Sequence, residues 1–210
     1  MIVTELEACG KTRFKVYVDY EYAFQLSAKE VKLYGIEKGH QISDVLSSEI
    51  RNEVLLPKAK LKAMDLLKNM DRTEYELMGK LKSAGFTESI SSEAIEYVKS
   101  YHYINDYRYA CNYIIYKNTT KSLKMLQLEL IRKGVDKAII EQAIEEEYGE
   151  QMEEEAVQRE IKKKCKNVEE LTYEKKMKIS AALFRKGYSS SAVRKVFGDL
   201  SFYEEQNSVF

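Results

Sequence analysis

The chain is poor in proline and glycine, with one and nine among 210 residues. That scarcity works against a turn-rich β fold and favours helix. Cysteine is scarce as well. Cys9, Cys111 and Cys165 form an odd, scattered set, which argues against a disulfide framework and fits a reducing cytosol. There is no run of 18 apolar residues, and the N-terminus lacks a basic region followed by an apolar stretch. Neither a membrane span nor a secretory signal is expected, so the chain reads as soluble and cytoplasmic. Charge of one sign is missing too. The 34 Lys and Arg balance 34 Asp and Glu, so the molecule as a whole is not drawn to nucleic acid. The two histidines, His40 and His102, have no Cys or His at metal-ligand spacing. No Gly-x-Ser-x-Gly motif, dinucleotide glycine loop or carboxylate pair in an apolar setting occurs. The expectation is a protein that is not an enzyme and has no cofactor or metal site.

What is present is a phrase that occurs three times. It reads Leu81-Lys82-Ser83-Ala84-Gly85-Phe86, then Leu130-Ile131-Arg132-Lys133-Gly134-Val135, then Leu183-Phe184-Arg185-Lys186-Gly187-Tyr188. The glycines are 49 and 53 residues apart, the period of a repeat architecture. Eight residues before each glycine stand Leu77, Leu126 and Ile179, and four before stand Leu81, Leu130 and Leu183. That i, i+4 spacing puts both on one helix face. After the second and third glycines the apolar positions fall at equal offsets: Ile139, Ile140, Ala143 and Ile144, then Ala192, Val193, Val196 and Phe197. The first copy keeps Ile90, Ala94 and Ile95 but has Ser91 at one of these places. Each unit is therefore an amphipathic helix, a glycine in the left-handed conformation that ends helices, and a second amphipathic helix.

The fold expected is mainly α, with tandem three-helix repeats in an elongated, curved arrangement and a small N-terminal β-hairpin/α element. The divisions are a β-rich element over 1–50, repeats over 54–102, 103–149 and 150–200, and a tail over 201–210. Phe14–Val18 and Tyr22–Leu26 read as strands, and Ile2–Leu6 as a third. Ser27–Tyr34 reads as a short helix, and Ser43 or Asp44 caps another running toward Glu53. Cys9-Gly10-Lys11-Thr12 has the ending of a phosphate loop, but Glu5 stands where that motif needs glycine, so a hairpin turn is expected. Pro57 suits a helix's first turn, and Thr73 with Glu76 forms a capping box. Asn105 or Asp106, Ser122 and Asp136 read as further caps. Met152, Ala156, Val157, Ile161 and Cys165 form the next apolar stripe. Cys111 and Cys165 read as buried thiols. Seven tyrosines between Tyr97 and Tyr116 are expected to pack rather than stack on bases, since no basic cluster interleaves them.

The C-terminal third is dipolar. Residues 145–160 hold eight glutamates and one arginine, and residues 162–195 hold eleven Lys or Arg against three Glu. A solvated face of Glu–Lys pairs is the plainer reading, and a basic face for an acidic or phosphate partner the sharper one.

These residues resemble the RecX family, bacterial modulators of the recombinase RecA. The resemblance is carried by Asp71-Arg72-Thr73-Glu74-Tyr75-Glu76-Leu77 with Leu81 and Gly85-Phe86. It continues in Tyr103-Ile104-Asn105-Asp106 with Tyr109-Ala110, and in Leu130 with Lys133-Gly134-Val135 and the Ile139, Ile140, Ile144 helix. It covers roughly residues 54–200. The chain departs at Met70, where the family usually has arginine, and the third unit matches more weakly. The resemblance implies a monomer that binds along the helical groove of a RecA filament on single-stranded DNA. There it would restrain ATP hydrolysis, strand exchange, filament growth and coprotease activity, in recombination, DNA repair and the SOS response. The residues expected to meet the partner are Arg132, Lys133, Arg185, Lys186, Arg194 and Lys195, with complementing the helix dipole as their other role. A weak direct DNA contact is part of that expectation. The alternatives are a direct DNA-binding protein built from three-helix units, or a helical scaffold for another protein.

Overall fold

A computed structural model describes residues 1–165 and 171–198. It divides into two compact units, Met1–Asn105 and Asp106–Phe210. Lys166 of the basic run and the tail Ser201–Phe210 lie outside the described residues.

The first unit opens with an antiparallel sheet in the order β1 (Val3–Cys9), β2 (Arg13–Val18), β3 (Glu21–Ser27). Alternation puts Val16, Phe24 and Leu26 on the buried face, and in register Val16 lies opposite both Leu6 and Phe24. Residues 10–12 form the β1–β2 hairpin turn, not a phosphate loop. The β2–β3 turn is tighter. Asp19 and Tyr20 both have positive φ, 49° and 70°, as a two-residue hairpin turn of matching twist demands. The Asp19 carboxylate accepts from the Ile2 N–H, and the Thr4 hydroxyl accepts from the Tyr20 N–H. The free edge of β1 is covered by residues 39–42. The Val3 N–H donates to the His40 carbonyl at 2.9 Å and the Gly39 N–H to the Val3 carbonyl at 2.8 Å.

Helix α1 (Ala28–Leu33) carries a Ser27–Glu30 capping box, and α2 (Asp44–Glu49) is capped by Ser43. Pro57 lies in the first turn of its helix, as expected, but that helix does not start afresh there. The chain is helical without a break from α2 through a π-helical turn (Ile50–Leu55) into α3 (Leu56–Lys68). Proline has no N–H to offer four residues back, and its ring crowds that carbonyl. The wider turn accommodates this, and the Leu56 N–H reaches five residues back to the Arg51 carbonyl. Residues 50–54 thus lie inside a continuous helix. One core runs from Val3 in β1 to Ile104, with Leu26, Ile50, Ala63, Leu77, Leu81 and Val98 within it, so sheet and first helices share a single interior.

Helix α4 (Glu74–Ser83) starts on the Thr73–Glu76 capping box, and α5 (Glu88–Ser100) follows Gly85. The second unit contains α6 (Asp106–Lys117), α7 (Leu123–Arg132), α8 (Lys137–Glu147), α9 (Glu150–Lys162), α10 (Tyr173–Arg185) and α11 (Ser190–Phe197). Ser122 caps α7 and Asp136 caps α8. In all three triplets the first and third helices pack side by side: α3 on α5, α6 on α8, and α9 on α11. The second triplet closes over Ala110, Cys111, Ile114, Leu126, Leu130 and Ile140, and the third over Ala156, Val157, Ile161, Leu183 and Val193. Burial differs from expectation in four places. Ile179 is only half-buried, with Ser180 taking the inner position. Cys165 is half-buried, just past α9, its thiol donating to the Ile161 carbonyl. On α6 the inner face, expected at Tyr109 or Ala110 with Tyr113 and Ile114, is made by Ala110, Cys111 and Ile114, with Tyr109 and Tyr113 at the margin. Finally, Tyr101, Tyr103 and Tyr116 are exposed, although Tyr101 stacks on Tyr103 and lies against Tyr97.

Candidate partner-binding surface

The three repeated glycines end their helices in the left-handed region, with φ of 94° at Gly85, 78° at Gly134 and 84° at Gly187. The apolar residue after each reaches back: the N–H groups of Phe86, Val135 and Tyr188 donate to the carbonyls of Leu81, Leu130 and Leu183. Two of these turns also dock on the preceding element. The Tyr22 hydroxyl on β3 donates to the Gly85 carbonyl, and a Cβ at Gly85 would lie 2.4 Å from the Gln25 Oε1. The Ser122 hydroxyl at the start of α7 donates to the Lys186 carbonyl at 2.5 Å, and a Cβ at Gly187 would lie 2.8 Å from the Lys124 Cβ. Gly187 therefore lets its turn lie close against the start of α7 as well as end a helix, whereas the end of the Gln25 side chain could move aside from a Cβ at Gly85.

The six basic residues singled out from the sequence sit at or beside these helix ends, and the structure divides them by type. The lysines are engaged. The Lys133 ammonium lies 5.4 Å and 5.7 Å from the ring centroids of Tyr109 and Tyr113, which stack on each other. The Lys186 ammonium binds Glu160, and the Lys195 ammonium binds Glu154 at 2.6 Å. Arg132, Arg185 and Arg194 are exposed and, among the described residues, form no ion pair. The chain's acidic and basic runs thus interlock in part within the third triplet, as the plainer reading of the dipolar pattern has it. Glu153 accepts from both the N–H and hydroxyl of Ser189, and Glu160 bridges Lys163 and Lys186.

The electrostatics follow these contacts. Lys163 and Lys186, by hydrogen bond and charge, hold the Glu160 carboxyl below its ordinary value despite its burial. Burial pushes up the Tyr188 hydroxyl, with Glu160 and Glu153 adding to the effect, to about 12. Burial alone would raise Glu129 as well, but hydrogen bonds from Lys121 and Tyr113 outweigh it and leave the carboxyl lowered. The Tyr113 phenol, desolvated and donating to that carboxylate, rises to about 12. Burial raises the Cys111 thiol, so it is held as the neutral thiol. These groups fasten helices to one another. Among the described residues no group of three or more His, Cys, Asp or Glu is placed to hold a metal, and no helix is long and apolar enough to cross a membrane. In the first unit a cavity of 180 Å³ is lined by Val18, Phe24, Ile42, Leu55 and Ile90, with Arg51 among its walls. The Arg51 guanidinium is already held by Glu93 and Ser89.

Sequence reasoning missed an apolar feature of this surface. Met125, Leu128 and Ile131 are exposed along α7, and Met177 and Phe184 along α10. The signal was present, since six of the ten residues of α7 are apolar, more than one buried stripe uses.

The chain is 30% identical over 197 residues to the Regulatory protein RecX of Caldanaerobacter subterraneus subsp. tengcongensis, spanning 93% of this chain and 98% of that one. It belongs to the RecX family. The Regulatory protein RecX of Clostridium acetobutylicum is also 30% identical, over 98% of both chains. Family models for the first and third three-helix domains of RecX match residues 59–97 and 152–197. The third unit, read from sequence as the weaker match, is thus spanned by its own RecX model. The crystal structure of RecX from Lactobacillus salivarius superposes with a TM-score of 0.62 at 28% identity, covering 70% of this chain and 97% of that one. Another crystal structure of a regulatory protein RecX gives 0.63 over 94% of this chain at 22% identity, which speaks to fold alone. Met70, the residue that departs from the RecX pattern, is 60% exposed after α3.

Proposed function

We propose that this chain binds the RecA filament on single-stranded DNA and modulates it, mainly by inhibiting ATP hydrolysis, strand exchange and coprotease activity. The reading rests on similarity to RecX regulatory proteins across almost the whole chain. The physical arrangement supports it. Triplets of short helices expose broad faces, and the polar clusters on them are spent on joining helices. Such a protein acts by occupying a surface, in the cytoplasm, without a reaction of its own. Arg132, Arg185 and Arg194 are the contacts in this reading, since exposed guanidinium groups with no ion pair among the described residues suit carboxylate or phosphate.

Co-sedimentation with preformed filaments tests the proposal. The chain pellets with RecA on single-stranded DNA and stays in solution with DNA alone. Equal, steeply salt-dependent binding to bare DNA would favour direct DNA binding instead, because phosphate neutralisation releases counterions.

A further inference from the structure

The outward face of α7 carries three apolar residues, three apart: Met125, Leu128 and Ile131, with exposures of 38%, 41% and 52%. At 100° per residue they span an arc of about 120°, and Arg132 and Lys124 fall inside the same arc. No acidic residue does. Among the described residues neither cation is ion-paired. The buried stripe of α7 is elsewhere, at Leu126 and Leu130.

The fold does not require this outer stripe. Counted back nine, six and three residues from the repeated glycine, the first copy has Glu76, Gly79 and Lys82 where the second has Met125, Leu128 and Ile131. The same triplet packing is thus built with a polar outer face in one copy and an apolar, cationic one in the other. The third copy shares the end of the pattern: exposed Phe184 followed by unpaired Arg185 matches Ile131 followed by Arg132. Because the Ser122 hydroxyl binds the Lys186 carbonyl, that second pair lies at the N-terminal end of α7. The two pairs are therefore about one helix length apart, about 15 Å for ten residues.

We infer that the outer face of α7, extended by Phe184 and Arg185, is a docking ridge for a protein surface that offers an apolar groove edged with carboxylates. Charge complementarity decides the occupant's class. Two free cations and no acid on the arc call for an anionic edge, and the aliphatic side chains between them do not form the stacking platform that bases need. The inference deepens the filament reading and rests on it. The apolar ridge supplies the bulk of the affinity, and the arginines set register.

The test uses the full chain and filaments of RecA on a labelled single-stranded oligonucleotide, read by anisotropy across a salt series. The double variant Leu128→Glu, Ile131→Glu should bind at least ten times more weakly than wild type. Arg132→Glu alone, at a solvent-exposed site that leaves the core untouched, should bind about three to ten times more weakly. Lys82→Glu, the same offset in the first copy, should change binding less than twofold. Wild-type affinity should fall only shallowly with salt. Failure of wild type to bind overturns both the filament reading and the ridge. Normal wild-type binding with unchanged variants overturns the ridge alone. Loss of binding to bare oligonucleotide equal to the loss on filaments overturns the protein occupant. So does a wild-type dimer that the double variant converts to monomer, since the ridge would then join two copies of this chain.

Discussion

Replacing Gly187 with alanine probes the way the repeats are joined. Two costs combine there. The residue sits at φ 84°, where a Cβ meets the following carbonyl. The new Cβ would also lie 2.8 Å from the Lys124 Cβ and 3.2 Å from the Ser122 hydroxyl. The Lys124 Cβ is fixed to backbone, so α7 and the α10–α11 turn must separate, and the Ser122–Lys186 hydrogen bond stretches. The conformational part is about 1–2 kcal/mol. Together with overpacking the loss is about 2–4 kcal/mol. Gly35 is the control. Its φ is 59° with nothing near a built Cβ, so Gly35→Ala carries the conformational part alone. With a urea dependence near 2 kcal/mol per M, Gly187→Ala should lower the unfolding midpoint of its unit by about 1–2 M. Far-ultraviolet circular dichroism reads the transition, and amide exchange should localise the loosening to the start of α7 and to α10–α11. If Gly187→Ala costs no more than Gly35→Ala, the close approach does not hold these elements together.

Two further outcomes follow from the same unit. Because Glu160 has a folded pKa below its ordinary value, the folded state binds fewer protons than the unfolded chain. Its stabilisation is complete above the ordinary carboxylate range and is lost as pH falls through that range and below, so acid unfolding should be shallower in Glu160→Gln, measured by thermal melts from pH 6 to 3. Charge reversal at Arg132, Arg185 and Arg194 together should weaken filament binding tenfold or more while leaving the helical signal unchanged; unaltered affinity would remove these residues from the interface.

Much of the fold was legible because its signals are local. A capping box spans four residues, so Thr73 and Glu76 announce α4 directly, and Ser122 and Asp136 announce α7 and α8. The repeated glycines are legible for the same reason, since ending a helix depends only on their own backbone conformation. The π-helical turn was not, because Pro57 has two resolutions, a new helix or a widened turn, and only tertiary packing selects one. The surface was half legible. The six basic residues look alike in the sequence, and what separates them lies far along the chain: Glu160 is 26 residues from Lys186, and Glu154 is 41 from Lys195. The exposed stripe of α7 hid in plain view, because a helix with six apolar residues in ten reads as core until the packing shows which face is used.

The measurement closest to the central claim is RecA ATP hydrolysis on single-stranded DNA under titration with this chain. The account predicts a fall in steady-state rate at substoichiometric amounts, as expected if each bound protein restrains more than one RecA subunit. A rate that stays constant through a full molar excess would contradict it.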